Sequence, residues 1–174
     1  MPAEPAPISR LGIVFMRFVA SALRSVARPG HPLDAPLVQH SMVWPTDLNV
    51  GMHMDNVRYL QLMNRARNEL LMRSGIMRAA RARRLGVPVA QCVMRYKRSL
   101  MPFERFSLRT QIIGWNERRF FMAQDFVRDG QVVASGQLQY AFVGPEGRVA
   151  PATIFSALLG REAVSPPLPA ELLD

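Results

Sequence analysis

The sequence predicts an α+β domain in which one helix packs against a mostly antiparallel sheet. Four apolar residues recur at helical spacing, Tyr59, Met63, Ala66 and Leu70. Four later segments, between Cys92 and Val143, alternate apolar with polar residues as half-buried strands do. The sequence RDGQ at residues 128–131 predicts a tight hairpin, because Asp-Gly supplies the positive φ angles of such a turn. Since short links join antiparallel neighbours, we expect these strands to form one sheet.

The composition divides the chain into three parts. We expect residues 1–36 to form an N-terminal helical extension and linker, residues 37–160 the domain, and residues 161–174 a Pro-rich tail on the surface. A length of 174 residues favours a single domain. The hydrophobic fraction of 49% is enough for one sizeable core and excludes a disordered chain.

Residues 11–27 are apolar and could form an amphipathic helix. Arg10, Arg17 and Arg24 recur at every seventh position, which aligns them along one stripe of such a helix. Because Arg17 interrupts the run, a membrane-spanning helix of about 20 apolar residues and a secretory signal peptide are disfavoured. Two interpretations stay open: a peripheral anchor lying in the membrane surface, and a helix packed on the domain. Residues 28–36 then break the chain as a linker.

The elements of the domain follow in the order strand, helix, strands. Residues 37–44 alternate, with Val38, His40, Met42 and Trp44 on one face. Gly75 suits the end of the central helix, and an Arg-rich turn or helix follows at residues 77–86. Cys92, Met94 and Tyr96 share one face of the next strand, and Phe106, Leu108, Thr110 and Ile112 share one face of the strand after it.

Charge and cysteine content limit the function classes. The formal net charge is +9, but Lys97 is the only lysine, and so strong an arginine bias reflects genome base composition as readily as selection for a polyanion. We therefore expect no nucleic-acid partner. The single cysteine, Cys92, cannot build a disulfide framework, which fits a reducing compartment such as the cytoplasm. We expect Cys92 to be a core residue rather than a zinc ligand or nucleophile.

Polar residues are concentrated immediately before the central helix, in DLNVGMHMDNVRY at residues 47–59. The start of a helix offers backbone N–H groups without intrahelical partners and the positive end of the helix dipole. Such donors can stabilise an oxyanion. The position of this motif therefore predicts a site at the helix start.

The motif resembles the signature of the hotdog-fold acyl-CoA thioesterases, in the 4-hydroxybenzoyl-CoA thioesterase-like superfamily. It is most similar to the branch of proteins like thioesterase superfamily member six, which reads Asp-x-Asp, a short gap, then His-x-Asn-Asn-x-Arg-Tyr. The matching residues are Asp47, His53, Asn56, Arg58 and Tyr59. The resemblance continues through RSLMPFERFSLRTQIIGWNERRFF at residues 98–121 and covers residues 38–160.

This resemblance implies both a fold and an activity. It implies a long central helix wrapped by an antiparallel sheet, with two units paired edge to edge as a homodimer or assembled as a tetramer. It implies hydrolysis of a fatty or aryl acyl thioester of coenzyme A or acyl carrier protein, with no metal and no cofactor beyond the coenzyme A of the substrate. The active site then lies at the dimer interface, with the thioester carbonyl near the amino end of the central helix.

Two residues depart from the family pattern. Asn49 stands where the family places its catalytic carboxylate, and Asp55 replaces the first Asn of the pair. An amide can neither take a proton from water nor form an anhydride, so three hypotheses stay open. Asp47 or Asp55 takes over as general base, or His53 activates water while the helix amides polarise the thioester, or the protein binds acyl thioesters without efficient turnover.

Each candidate catalytic residue has a structural alternative. Asp47 is a base or the cap of a turn. Asn49 orients the substrate or forms the turn, and His53 takes part in the chemistry or locks the loop. Asp55 is a catalytic acid or the N-cap of the helix, and Asn56 lines the site or caps the helix.

The candidate substrate-binding residues are basic or apolar. Arg81, Arg83 and Arg84, in a cluster with Arg78, are the first candidates for the coenzyme A phosphates, and Lys97 and Arg98 are the alternative. A solvated basic face is the structural explanation. Met54, Tyr59 and Met63 are candidates for the acyl channel, where thioether side chains adapt to a chain; ordinary core packing is the alternative.

Overall fold

The computed structural model describes residues 30–169, which form one five-stranded antiparallel sheet around a central helix. The strands are β1 (Leu37–Met42), β2 (Val89–Tyr96), β3 (Arg105–Trp115), β4 (Phe120–Arg128), β5 (Gln131–Tyr140) and a small hairpin of β6 (Phe142–Gly144) and β7 (Gly147–Val149). The helices are α1 (Asn56–Arg73), α2 (Ile76–Ala82) and α3 (Pro151–Leu159). The predicted α+β class is confirmed, and the predicted helix at residues 11–27 lies outside the described residues.

The sheet order is β1-β3-β4-β5-β2, with every pair antiparallel. The predicted turn at residues 128–131 joins β4 to β5, with φ of 49° at Asp129 and 75° at Gly130. A short turn also joins β3 to β4, and a bulge between Ile112 and Gly114 interrupts the register of this pair. This order places β2 at one edge of the sheet and β1 at the other.

Helix α1 lies across the sheet, and its buried side chains form part of the hydrophobic core. Met63, Ala66 and Leu70 are fully buried, as their helical spacing predicted. From the sheet, Gln124 reaches the helix: its Nε2 donates to the Met63 carbonyl at 3.0 Å and to Thr110 Oγ1 at 2.9 Å. These two hydrogen bonds link the middle of α1 to β3 and β4.

Strand β1 alternates as predicted, but the side that faces the core is the other one. Leu37 is 5% exposed, whereas Val38 is 47% exposed. Gln39, on the same side as Leu37, donates through Nε2 to Glu69 Oε2 of α1 at 2.7 Å. Gln39 can therefore face the helix, because the Glu69 carboxylate accepts its hydrogen bond there.

The prediction that Cys92 is a core residue is wrong, because Cys92 is exposed. It does share a face with Met94 and Tyr96, as predicted, since the three pair with alternate residues of β5, Leu138, Gly136 and Ala134. Strand β2, however, lies at the sheet edge, and it meets α1 through Tyr96, which packs on Tyr59. Seven of its eight residues are exposed.

Helix α2, helix α3 and the segment after α3 complete the fold. Gly75 has φ of 82° and separates α1 from α2, as predicted from its position. Helix α3 packs on α2, and the chain then passes over β3, where the Trp115 N–H donates to Ser165 Oγ at 2.8 Å. No helix within residues 30–169 has both the length and the apolar composition needed to cross a membrane.

Candidate active site

The loop before α1 is closed by its own backbone. Leu48 and Met54 form an isolated antiparallel bridge, and the Asn49 N–H donates to the His53 carbonyl at 3.0 Å. At the tip, the Met52 N–H donates to the Asn49 carbonyl at 3.0 Å, and Met52 has φ of 58°. Non-glycine residues rarely adopt this left-handed conformation, and it often marks a functional loop. The loop presents Asn49 and His53 side by side.

Neighbouring segments hold this loop against the helix start. The Asp55 N–H donates to the Asp47 carbonyl, and the Met54 N–H donates to the Leu100 carbonyl, both at 2.8 Å. The Leu100 N–H in turn donates to the phenolic oxygen of Tyr59 at 3.4 Å. The segment after β2 therefore forms one wall of the candidate site.

Asp47 is buried and committed to other groups. It is 7% exposed, its Oδ2 accepts from the Trp44 N–H at 3.0 Å, and its Oδ1 lies 2.8 Å from Arg58 Nε. The Arg58 contact is an ion pair rather than a well-directed hydrogen bond. With both carboxylate oxygens occupied, Asp47 is suited to hold the loop and not to accept a proton from water.

Asn49 and His53 form a polar pair. Asn49 Oδ1 accepts from the Gly51 N–H at 2.9 Å, and Asn49 Nδ2 lies 3.4 Å from His53 Nδ1. The same Nδ1 lies 3.4 Å from the Met54 carbonyl. An amide donor at Nδ1 favours the tautomer with the proton on Nε2, whereas the carbonyl favours the proton on Nδ1. Which hydrogen bond dominates decides whether His53 Nε2 donates or accepts.

Asp55 is the N-cap of α1. Its Oδ1 accepts from the Val57 N–H at 2.7 Å, and its carbonyl accepts from the Arg58 and Tyr59 N–H groups at 2.9 and 3.3 Å. The helix start is therefore less open than predicted, since the cap occupies most of its donors. Among the described residues, the Asn56 N–H has no partner.

Tyr96 lies at this site, although it belongs to none of the motifs in the sequence. Its ring packs edge-on against Tyr59, with 5.2 Å between centroids. Burial raises the pKa of the Tyr96 hydroxyl, and the negative charges of Cys92 and Asp55 raise it further. The alternation of β2 had placed Tyr96 on the correct face, but only the sheet order shows that the end of β2 meets the start of α1.

The apolar candidates lie in the core. Met54, Tyr59 and Met63 are 1%, 2% and 0% exposed. Met63 packs closely on Gly136 of β5, where a Cβ would come within 2.2 Å of the Met63 methyl. In the single subunit these side chains pack against protein, and their contact with an acyl chain stays a prediction.

The two groups of basic candidates lie at opposite ends of β2. Arg81, Arg83 and Arg84 end or follow α2, which begins where α1 ends. The 18 residues of α1 span about 27 Å, so this group lies far from the helix start of its own subunit. Lys97 and Arg98 directly follow Tyr96, and Arg98 forms an ion pair with Glu104 at 3.5 Å. All five basic side chains are exposed.

A cavity of about 140 Å³ lies away from the motif. Its lining includes Leu33, Ile112, Trp115 and Phe155. Along β3, Trp115 lies seven residues beyond Leu108, whose partner Phe126 packs against Tyr59; seven strand residues span about 23 Å. This cavity is therefore distinct from the site at the start of α1.

A family profile matches most of the chain, including the motif before α1. The profile described as the thioesterase-like superfamily matches residues 43–174. The chain belongs to this family. Protein THEM6 of Xenopus laevis is 32% identical over 142 residues, which cover 79% of this chain and 67% of that protein. Protein THEM6 of Danio rerio is 38% identical over 114 residues, which cover 65% of this chain and 56% of that protein.

Solved structures show the same architecture. YbaW of Escherichia coli aligns with a TM-score of 0.65 and 20% identity, over 74% of this chain and 99% of that one. Slr0204 of Synechocystis, a 1,4-dihydroxy-2-naphthoyl-CoA thioesterase, aligns with a TM-score of 0.60 and 12% identity, over 72% and 96% of the two chains. Together with the antiparallel sheet around α1, these likenesses confirm the hotdog fold.

Proposed function

We propose that this member of the thioesterase-like superfamily hydrolyses a fatty or aryl acyl thioester of coenzyme A at the start of α1. The observation that carries the proposal is the pairing of an uncommitted N–H, that of Asn56, with an acid, Asp55, of which only Oδ1 is engaged by the helix. One group suits an oxyanion and the other suits an attacking water. Membership of the family supports the reaction class.

In the proposed reaction, Asp55 Oδ2 takes a proton from water as the water oxygen attacks the thioester carbonyl carbon. The carbonyl oxygen becomes an oxyanion that accepts a hydrogen bond from the Asn56 N–H. As the C–S bond breaks, Asp55 returns the proton to the departing thiolate. The products are the free acid and coenzyme A. Asp47 takes no proton and positions the loop through Arg58 and Trp44.

The experiment compares Asp55→Asn with Asp55→Ala, using a panel of acyl-CoAs and a thiol-trapping readout. Asn is as good an N-cap as Asp, so Asp55→Asn removes the base and keeps the cap. We expect kcat to fall about 10²- to 10⁴-fold in both variants, while only Asp55→Ala also loses about 1 kcal/mol of stability. Wild-type turnover by Asp55→Asn would transfer the role of base to His53.

A second candidate function is binding of acyl-CoA without turnover. It is favoured by Asn49, which cannot act as a base, and by the commitment of Asp47 to Arg58 and Trp44. Asn49→Asp discriminates the two functions, because a carboxylate there would fix the His53 proton on Nδ1 and leave Nε2 free to accept one. Binding without thiol release by the wild type, with release gained by Asn49→Asp, would support the second function; rapid release by the wild type would exclude it.

We also propose a homodimer formed through β2. This strand is an eight-residue sheet edge with exposed apolar side chains, among them Val89, Val93 and Tyr96. An open edge of this kind invites pairing with another strand. A second copy satisfies it symmetrically: a twofold axis normal to the sheet pairs the two β2 strands antiparallel and leaves both α1 helices on the same face.

A further inference from the structure

Two exposed aromatic residues lie on adjacent segments at one end of the sheet. Trp44 follows β1 and Phe103 precedes β3, and their side chains are 54% and 59% exposed. The backbone joins the two segments, because the Phe103 N–H donates to the Val43 carbonyl at 2.8 Å and the Val43 N–H donates to the Glu104 carbonyl at 3.0 Å. Met101, in the same turn as Phe103, is 42% exposed. We call Trp44, Met101 and Phe103 the apolar tip.

The turn that carries Phe103 is strained. Phe103 has φ of 64°, a left-handed conformation that bulky residues rarely adopt and that persists only where the surroundings impose it. The turn is closed by the Glu104 N–H, which donates to the Met101 carbonyl at 3.2 Å, and by the Met101 N–H, which donates to Glu104 Oε2 at 3.0 Å. An aromatic ring held in solvent by such a backbone indicates a contact outside the subunit.

The proposed dimer leaves the apolar tip open. Strands β1 and β3 are the first two in the sheet order, and β2 is the last. With about 4.8 Å between neighbouring strands, β3 and β1 lie roughly 14 and 19 Å from β2 across the sheet. A second copy paired on β2 therefore does not account for the exposure of Trp44 and Phe103.

Positive charge lies beside the apolar tip. Arg105, which pairs with Met42 in the register of β1 and β3, is exposed and has no acidic partner among the described ion pairs. The acids at the start of β3 and the end of β4, Glu104 and Asp129, are both paired with Arg128. Exposed aromatic rings beside an unpaired cation suit the surface of an anionic bilayer, where such rings settle among the headgroups and cations are attracted.

We propose that the apolar tip docks the protein on an anionic lipid surface, with Trp44 and Phe103 among the headgroups and Arg105 against the lipid phosphates. The same segment forms a wall of the candidate site, since the Leu100 carbonyl accepts from the Met54 N–H at 2.8 Å. Docking therefore brings the start of α1 close to the bilayer, where amphipathic molecules with an acyl chain accumulate. This inference concerns binding and does not require the proposed hydrolysis.

The first part of the test uses Trp44 as its own reporter. The chain has two tryptophans, and Trp115→Phe leaves Trp44 as the only indole while keeping an aromatic ring against Phe155. The full-length variant is titrated with vesicles of phosphatidylglycerol or phosphatidylcholine whose acyl chains carry bromine. We expect a blue shift and quenching of the Trp44 emission by phosphatidylglycerol, with about fivefold or more weaker apparent binding to phosphatidylcholine.

Two results of this titration would overturn the proposal. One is a protein that binds neither kind of vesicle. The other is vesicle binding that leaves the Trp44 emission unchanged, which would assign the membrane contact to another part of the chain, such as residues 11–27.

The second part removes the aromatic rings. We expect Trp44→Ser/Phe103→Ser to bind phosphatidylglycerol vesicles roughly tenfold or more weakly in flotation, because two apolar side chains no longer leave water. Val143→Ser/Val164→Ser is the control: it removes exposed apolar side chains at the opposite end of the sheet and should float as the wild type does. Equal flotation of Trp44→Ser/Phe103→Ser and the wild type would contradict the proposal.

The third part tests the charge. Arg105→Gln should weaken binding to phosphatidylglycerol vesicles about fivefold. Arg148→Gln removes the same charge from an exposed position in β7 and should bind as the wild type does. Equal losses in the two variants would show that only the net charge of the protein matters, and that result would reject the role of Arg105.

These measurements separate docking from hydrolysis. A protein whose Trp44 emission responds to phosphatidylglycerol vesicles but which releases no thiol would disprove the proposed hydrolysis and keep this inference. Conversely, an enzyme active on acyl-CoA whose Trp44 emission never responds to vesicles would keep the hydrolysis and reject the docking.

Discussion

Two acids of the same motif have different roles because their surroundings differ. Asp47 is buried and accepts from the Trp44 N–H beside the Arg58 guanidinium. Asp55, eight residues later, is only partly buried, and its Oδ1 caps the helix. Removing Asp47 would leave the Arg58 guanidinium without its counter-ion and the Trp44 N–H without its acceptor, whereas removing Asp55 costs a cap. These surroundings favour Asp55 over Asp47 for the proposed role of base.

A third acid gives a prediction about pH. Asp125 lies opposite Arg109 in the register of β3 and β4. Burial raises the pKa of its carboxyl above the usual 3.8, and the charges of Arg109 and Lys97 lower it only in part. An acid with a raised pKa in the folded state makes the fold lose stability as pH rises from the unfolded-state pKa through the folded-state pKa.

We therefore expect Asp125→Asn to abolish this loss. The free energy of unfolding, measured in urea from pH 4 to pH 7, should fall with pH in the wild type by more than it does in the variant. Asp129→Asn, at an exposed turn position, is the control and should follow the wild type. Parallel curves for wild type and Asp125→Asn would show that ionisation of Asp125 costs the fold nothing.

At the residue scale, the sequence indicated which residues form the candidate site but not which contacts each of them makes. Resemblance and motif brought together Asp47, His53 and Asp55, which the structure places around one loop. The ion pair between Asp47 and Arg58 could not be foreseen from the sequence. The family pattern contains both residues but does not show that they touch. Tyr96 was missed because its contact with Tyr59 joins segments 37 residues apart in the chain, from 59 to 96, and no local pattern records such a distance.

Among the elements, β3 is covered at its end by the C-terminal tail. Gly114 has φ of 149°, and a Cβ there would come within 2.7 Å of Leu168 and 3.0 Å of Ser165. The tail crosses the strand at this point, and Ser165 Oγ accepts from the Trp115 N–H. A glycine at the bulge thus allows the tail to pack closely on the sheet.

We expect Gly114→Ala to displace the tail and lower the free energy of unfolding by about 1–3 kcal/mol. Ser165→Ala removes only the hydrogen bond and should cost about 1 kcal/mol. Urea unfolding measures both losses, and limited proteolysis of the tail reports its release. Wild-type stability and protease resistance in Gly114→Ala would show that the close approach is not required.

Element types were predicted from periodicity more successfully than their surroundings. The α1 spacing and the alternation of β3 correctly gave buried residues such as Leu70 and Leu108. Alternation wrongly predicted that Cys92 is buried, since a strand at a sheet edge keeps its alternation even where its residues are exposed. Alternation records two faces of a strand, but sheet order decides whether either face is buried.

For the whole molecule, the exposed edge of β2 predicts the assembly. Cys92 lies near the middle of the strand, so in the proposed dimer the two copies lie close to the twofold axis. We expect Cys92→Lys to give a monomer by sedimentation analysis, because like charges then face each other across the axis. Cys92→Ser should stay dimeric, and both variants should keep the circular dichroism of the wild type, since Cys92 is exposed in the subunit.

Loss of the dimer should also lower kcat/KM for acyl-CoA, because the end of β2 that carries Tyr96 then loses its partner strand beside the start of α1. A fully active Cys92→Lys monomer would show that the proposed site is complete within one subunit. A Cys92→Lys variant that remains dimeric would show that the subunits meet through a surface other than β2.

The central claim is that the acyl thioester binds at the start of α1, and hydrogen–deuterium exchange with a thioether analogue of acyl-CoA tests it most directly. The analogue cannot be hydrolysed, so the complex persists during labelling. We expect slower exchange at residues 53–58, including the Asn56 N–H that has no partner among the described residues. Protection confined to Trp115, Phe155 and their neighbours around the 140 Å³ cavity would contradict the claim.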